Sequence, residues 1–329
     1  MELDLTPFFH TIIAMFVLLI VGFVAGKTKI IDSVASKKLS ALIIKVGQPA
    51  LIIYSLVKVI DKDMQPSEAL GMVKLGMQTL LFGFAVHGAM AVVAFLVCLR
   101  FKNIDERKLT EFCMIFGNVG FLGIPVLEAL IGPDGAFMGA FFVVSFNVVL
   151  WTWGICILAR RRSDIRLTPR KLLNFGTVPC LIGFIFFLVI IFIKWKLAPG
   201  FELPLFVQKS FEFTSSLCTP ISMLIIGALL STRTLKQVFC SGKIYLLCLI
   251  KLILLPLAVC LFLKLVGLDN WIIFAAAVIS MPSATTVTML AELYDINPGY
   301  SAQAVGTTSL FSVATMPIVM IIAQKILEM

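Results

Sequence analysis

The chain has 329 residues, 60% of them hydrophobic and 14% charged, with a formal net charge of +9. A soluble domain carries about 25% charged residues, so this composition excludes an ordinary soluble protein and points to a bilayer. In that setting the basic excess reports membrane topology, and no nucleic-acid partner is expected.

Ten apolar spans are predicted in chain order. A helix needs about 20 apolar residues to cross the hydrocarbon core. Span 1 (5–26) is uncharged; its acidic flank, Glu2 and Asp4, and its length mark a retained helix, not a signal peptide. Span 2 (36–57) carries Lys45, span 3 (75–99) carries His87, and span 4 (112–131) carries Glu128 near its end. Spans 5 (135–159), 6 (172–193) and 7 (213–232) are uncharged, span 8 (244–266) carries Lys251, and spans 9 (271–291) and 10 (296–324) are again uncharged. The eight cysteines lie in or beside these spans without a C-x-x-C pair, so buried thiols are expected, with no metal or disulfide framework.

Of the 27 lysines and arginines, 17 fall in the connections after odd-numbered spans, 8 in the other connections and termini, and two, Lys45 and Lys251, within spans. The positive-inside rule then places both termini outside and the loop 160-RRRSDIRLTPRK-171 in the cytoplasm. This loop separates a first unit, 1–159, from a second, 172–329, each of five spans. Five is odd, so a duplicated unit inserts upside down relative to its twin, the inverted-repeat layout of many secondary transporters. Lys38 and Pro49 in span 2 share their spacing with Lys209 and Pro220 leading into span 7. The turns 132-GPDG-135 and 297-NPG-299 each lead into the last span of a half.

Two spans carry interruptions. Span 4 contains 117-GNVGFLGIP-125 and span 9 contains 280-SMPSATTVT-288. Proline removes a backbone donor and clashes with the preceding turn, and an unwound stretch survives in a membrane only against protein or a wet cavity. One such segment alone is equally well a kinked helix packed through small residues. Paired interruptions at corresponding positions point to a transporter site. Half-helix N-termini there would offer free N–H groups to an anion, with Asn118, Ser283, Thr285 and Thr286 placed to add side-chain hydrogen bonds.

The stretches 117-GNVGFLGIPVLEALIGPDG-135 and 281-MPSATTVTMLAELYDINPGYSAQAVGTTSLFSVATMP-317 resemble the fourth and the ninth-to-tenth helices of the auxin efflux carrier family, and 46-VGQPALI-52 and 250-IKLILLPLAV-259 are similar to its second and eighth. The resemblance covers nearly the whole chain, without the long central loop of plant members, as in compact prokaryotic-type members. It implies an all-α membrane protein of ten transmembrane helices in two inverted five-helix repeats, a bile-acid/sodium-symporter-like fold in which helices 4 and 9 are broken and cross. Spans 1, 2, 6 and 7 would form a scaffold, the rest a moving transport domain. The expected substrate-binding set is Asn118, Val119, Gly120, Gly123 and Pro125 from span 4, Asn147 from span 5, and Pro282, Ser283, Thr285 and Thr286 from span 9; within it the resemblance implies Asn118 as the substrate-contacting asparagine and Pro125 and Pro282 as the crossover prolines. The implied cargo is a small organic anion such as malate, malonate or another carboxylate. Ser-Ala-Thr-Thr after Pro282 stands where plant members have other residues, which argues against auxin itself. A homodimer through the scaffold, a cell-membrane location and no cofactor are also expected.

Several residues keep two readings. Lys45 and Lys251, at a depth where a charge costs about 2.5–3.5 kcal/mol, either snorkel to the cytoplasmic interface or meet an anion, with snorkelling favoured. Glu128 and Glu292 are helix-end charges or proton-coupling carboxylates. His87 is a packing histidine or a protonation switch. Asn147 bonds to the interrupted segments or holds two helices together. The leading function is secondary transport, by efflux or exchange through alternating access. The alternative is a membrane sensor retaining a transporter fold, which would need an output domain that these short loops leave no room for. An enzyme is not expected: no H-E-x-x-H, no paired intramembrane aspartates and no Ser–His arrangement is present.

Overall fold

The computed structural model describes residues 6–57, 66–162, 177–193, 203–232 and 241–329. Apart from one isolated β-bridge, the regular structure of these residues is helical. In chain order the helices are α1 (Thr6–Lys27), α2 (Ser33–Leu56), α3 (Pro66–Cys98), α4 (Ile104–Ile115), α5 (Val119–Ile131), α6 (Pro133–Ala159), α7 (Thr177–Phe192), α8 (Leu205–Ser231), α9 (Gly242–Val266), α10 (Ile272–Ser280), α11 (Thr286–Leu293) and α12 (Pro298–Glu328). Seven of them (α1, α2, α3, α6, α8, α9 and α12) are long and apolar enough to cross a membrane, whereas α5, α7 and α10 contribute shorter apolar stretches.

The seven long helices are not the seven spans that lack charge. Spans 2 and 8, each holding a lysine, run on as continuous helices, because wider π-turns at Ile43–Gly47 and Ile250–Leu254 absorb the irregularity without ending the helix. Span 9 is uncharged but broken, and part of span 6 lies outside the described residues. So does most of the basic linker, of which 160–162 are described.

Span 4 starts earlier than its hydropathy suggests. The Asn103 side chain caps α4 by accepting from the backbone N–H groups of Asp105 (2.9 Å) and Glu106 (3.3 Å). Arg107 and Lys108 are therefore helical, not loop residues. Lys108 and Glu111 are each only 1% exposed. Such charges need partners: Glu111 accepts from Arg107 (2.9 Å) and from Arg160 at the end of α6 (2.5 Å), and Glu106 pairs with Lys243 of α9. Thr110 and Tyr300 share a hydrogen bond of 2.8 Å between their hydroxyls, tying α4 to α12.

Close packing elsewhere depends on missing side chains. A Cβ on Gly22 or Gly26 of α1 would stand 2.3 Å from Leu224 O and 2.2 Å from Ser231 Oγ, and one on Gly227 of α8 would stand 2.1 Å from Leu19 O. Backbone meets backbone along the α1–α8 contact, as small-residue spacing allows in membranes. The apolar faces left outward, such as Ile13, Val17, Val21 and Val24 of α1, suit lipid contact.

Candidate paired-break site

Two chain breaks lie against each other. After α4, Phe116 (φ −99°, ψ 106°) is extended and Asn118 (φ −79°, ψ 50°) leaves the helical region. After α10, Met281 (ψ 143°) turns the chain out of the helix just before Pro282, whose missing N–H and ring forbid continuation. Gly117 and Ser283 then form an antiparallel bridge. Asn118 N donates to Pro282 O at 2.8 Å, and Ala284 N donates to Phe116 O at 2.9 Å. Each break thus satisfies the other's peptide groups, as an apolar surround requires. Gly117 permits the approach: a Cβ there would stand 3.3 Å from Met281 Cβ and 3.5 Å from Val278 O.

The carbonyls at the end of α4, which lack intrahelical donors, are met by side chains. Ser283 Oγ donates to Cys113 O at 3.0 Å, and Lys251 Nζ donates to Met114 O at 2.9 Å. Lys251 is 0% exposed, so the snorkelling expected of it is overturned: it lies on the inward face of α9, and its stem leads into the protein. Lys45 is exposed. Across the other side, Thr219 Oγ1 of α8 donates to Phe121 O at 2.8 Å.

Beside the breaks lies a small cleft lined by Gln48, Gly117, Asn118, Gly120, Phe121, Phe146, Asn147, Leu150, Trp151, Ala284, Thr285 and Thr286. Asn118, Gly120, Asn147, Thr285 and Thr286 of the expected set line it. Val119, Gly123, Pro125, Pro282 and Ser283 do not; they shape the breaks. Val119 is buried and packs where a Cβ on Gly123 would stand, Pro125 sits in the first turn of α5's regular part, Pro282 supplies its carbonyl, and Ser283 caps α4. Gln48, Trp151, Phe121 and Phe146 were missed because they come from other helices or read as core. Their signal was position: Gln48 precedes Pro49 in a motif, and Trp151 follows Asn147 by one helical turn.

Three polar atoms in this lining are buried without a partner: Asn118 Nδ2, Trp151 Nε1 and Thr286 Oγ1. Such atoms are rare in folded proteins, and each calls for an explanation. Four π-turns adjoin the same region, at Ile43–Gly47, Val119–Gly123, Leu150–Gly154 and Ile250–Leu254; turns of this kind cluster at functional sites. Asn147 Nδ2 donates to Val143 O of its own helix at 2.9 Å. His87 packs among Phe116, Phe142 and Phe146, with Nδ1 at 2.6 Å from Gly83 O, in accord with a packing role. Glu128 is half-buried in the last turn of α5, and the Glu292 side chain lies outside the described residues.

A family profile described as "Membrane transport protein" matches residues 7–320. The chain belongs to this family, the auxin efflux carriers. It is a multi-pass membrane transporter. It is 26% identical over 310 residues to an uncharacterized transporter of Methanocaldococcus jannaschii, covering 92% of this chain and 94% of the relative. It is 24% identical over 221 residues to a Rhizobium meliloti protein named "Putative malonate transporter", covering 66% and 68%.

Proposed function

We propose that this carrier is a secondary transporter of small organic anions, carboxylates of about the size of malate and malonate, working by alternating access at the paired breaks. The observation that carries this reading is the set of unpartnered groups in the cleft. An indole N–H and an amide N–H only donate, so they suit an acceptor such as a carboxylate oxygen. The half-helix α5 begins at Val119 with N–H groups that have no acceptor within the helix, which favours negative charge. The name of the Rhizobium relative supports the same substrate class.

The proposed frame is ten membrane helices in two inverted halves, 1–159 and 172–329, with α4–α5 and α10–α11 as the crossing broken pair. It is consistent with the seven long helices, the shorter α7 and the two breaks. The moving unit would carry both breaks past the helices that hold Gln48 and Thr219. Energy would come from gradients, with efflux and exchange equally compatible. A homodimer through the scaffold helices and placement in the cell membrane, with the 160–171 loop cytoplasmic, complete the proposal.

The test is uptake of labelled carboxylates by purified protein in liposomes. Counterflow of a carboxylate is expected, and Asn118→Ala should abolish it while the variant inserts normally. Absence of transport across a carboxylate panel, or a wild-type rate in Asn118→Ala, overturns the proposal.

A further inference from the structure

The cleft has a charge count that narrows its cargo. Among the described residues its lining holds no charged side chain. One cation, Lys251, stands behind the Gly117 wall: a Cβ on Gly117 would lie 3.8 Å from its Nζ. Lys251 brings at most one positive charge, and one of its hydrogen bonds already goes to Met114 O. Glu111, which is also buried, is held by Arg107 and Arg160, and none of these three lines the cleft. A singly charged anion would be balanced by Lys251. A doubly charged one would leave a net negative charge in a cleft walled by Phe121, Phe146, Leu150 and the Trp151 ring, and burying an uncompensated charge in apolar surroundings is strongly unfavourable.

The polar complement has the same size. Asn118 is 2% exposed, and its free Nδ2, the Trp151 Nε1 and the Thr286 hydroxyl make three open hydrogen-bonding positions. One carboxylate offers about four lone-pair sites, enough to use them all. Of the three, the Trp151 indole comes from α6 and lies outside both breaks.

Resting on the carboxylate reading above, we infer that the cleft accepts acids in singly charged form, with Trp151 a specificity-determining residue whose N–H binds the carboxylate. An acid with two carboxyl groups enters with one of them protonated, or is replaced by a monocarboxylate of the same shape.

The probes are malonate and its monoamide, malonamate, which match in size and differ by one charge. Binding is titrated in detergent at neutral pH, where malonate already carries both charges. Malonamate is expected to bind at least about tenfold more tightly than malonate. Trp151→Phe keeps an aromatic wall and removes the N–H; it should weaken malonamate about tenfold, the order expected for one hydrogen bond to a charged group. Equal or tighter binding of malonate overturns the charge count and leaves the anion-transport reading standing. Unchanged malonamate affinity in Trp151→Phe overturns the role of the indole. No binding of either probe, together with no transport of any carboxylate, overturns both this inference and the reading beneath it.

Discussion

Lys251 sets a donor against Met114 O, one of the acceptors that α4 leaves open at its end. A cation there also faces the negative end of the helix dipole. Lys251→Met fills similar volume but strands that carbonyl in a dry interior. The expected result is a loss of about 1–3 kcal/mol in stability, the cost of a buried unsatisfied acceptor, read as a lowered thermal unfolding midpoint in detergent. An unchanged midpoint would mean that water reaches Met114 O. Asn118 and Thr286 were legible because a broken-helix motif names its own residues. Lys251 was misjudged because distance from a helix end says nothing about which face a side chain occupies. Trp151 and Gln48 reach the cleft through tertiary packing, which no local motif encodes.

At the scale of elements, irregularity is concentrated around the cleft. α2, α6 and α9 each widen by a π-turn beside it, while the α1–α8 contact is tight. That contact has no slack. Gly227→Leu would push a side chain into Leu19 O and the Phe23 backbone, where nothing flexible can yield. Overpacking of this kind costs about 2 kcal/mol or more. The variant should show a lower melting point and a lower yield of monodisperse protein, whereas Gly71→Ala, which meets nothing within 4 Å, should not. The breaks themselves were readable from Pro282 and the glycines of 117–125. The true start of α4 was not, because a capping asparagine and buried ion pairs outweigh hydropathy there.

For the whole molecule, composition already settled the membrane class, and the charge-free stretches located most of the helices. The orientation proposed from the arginine and lysine bias gives a direct expectation. Single cysteines introduced within 160–171, on a background with the eight native cysteines replaced, should react with an impermeant maleimide only from the cytoplasmic side. Labelling from the outside would invert the proposed topology. The same bias could not reveal that Arg160 turns back onto Glu111, because pairing depends on where α4 and α6 end in space.

The mutual pairing of the two breaks also bears on biosynthesis. Ser283 and the Cys113 carbonyl it caps are 170 residues apart in the chain. While the second half is still on the ribosome, the first break waits in the bilayer with exposed peptide groups that lipid cannot satisfy. The first half alone therefore lacks the partners that the residues around Pro282 supply. The pairing of the two breaks forms only once both halves of the chain are present.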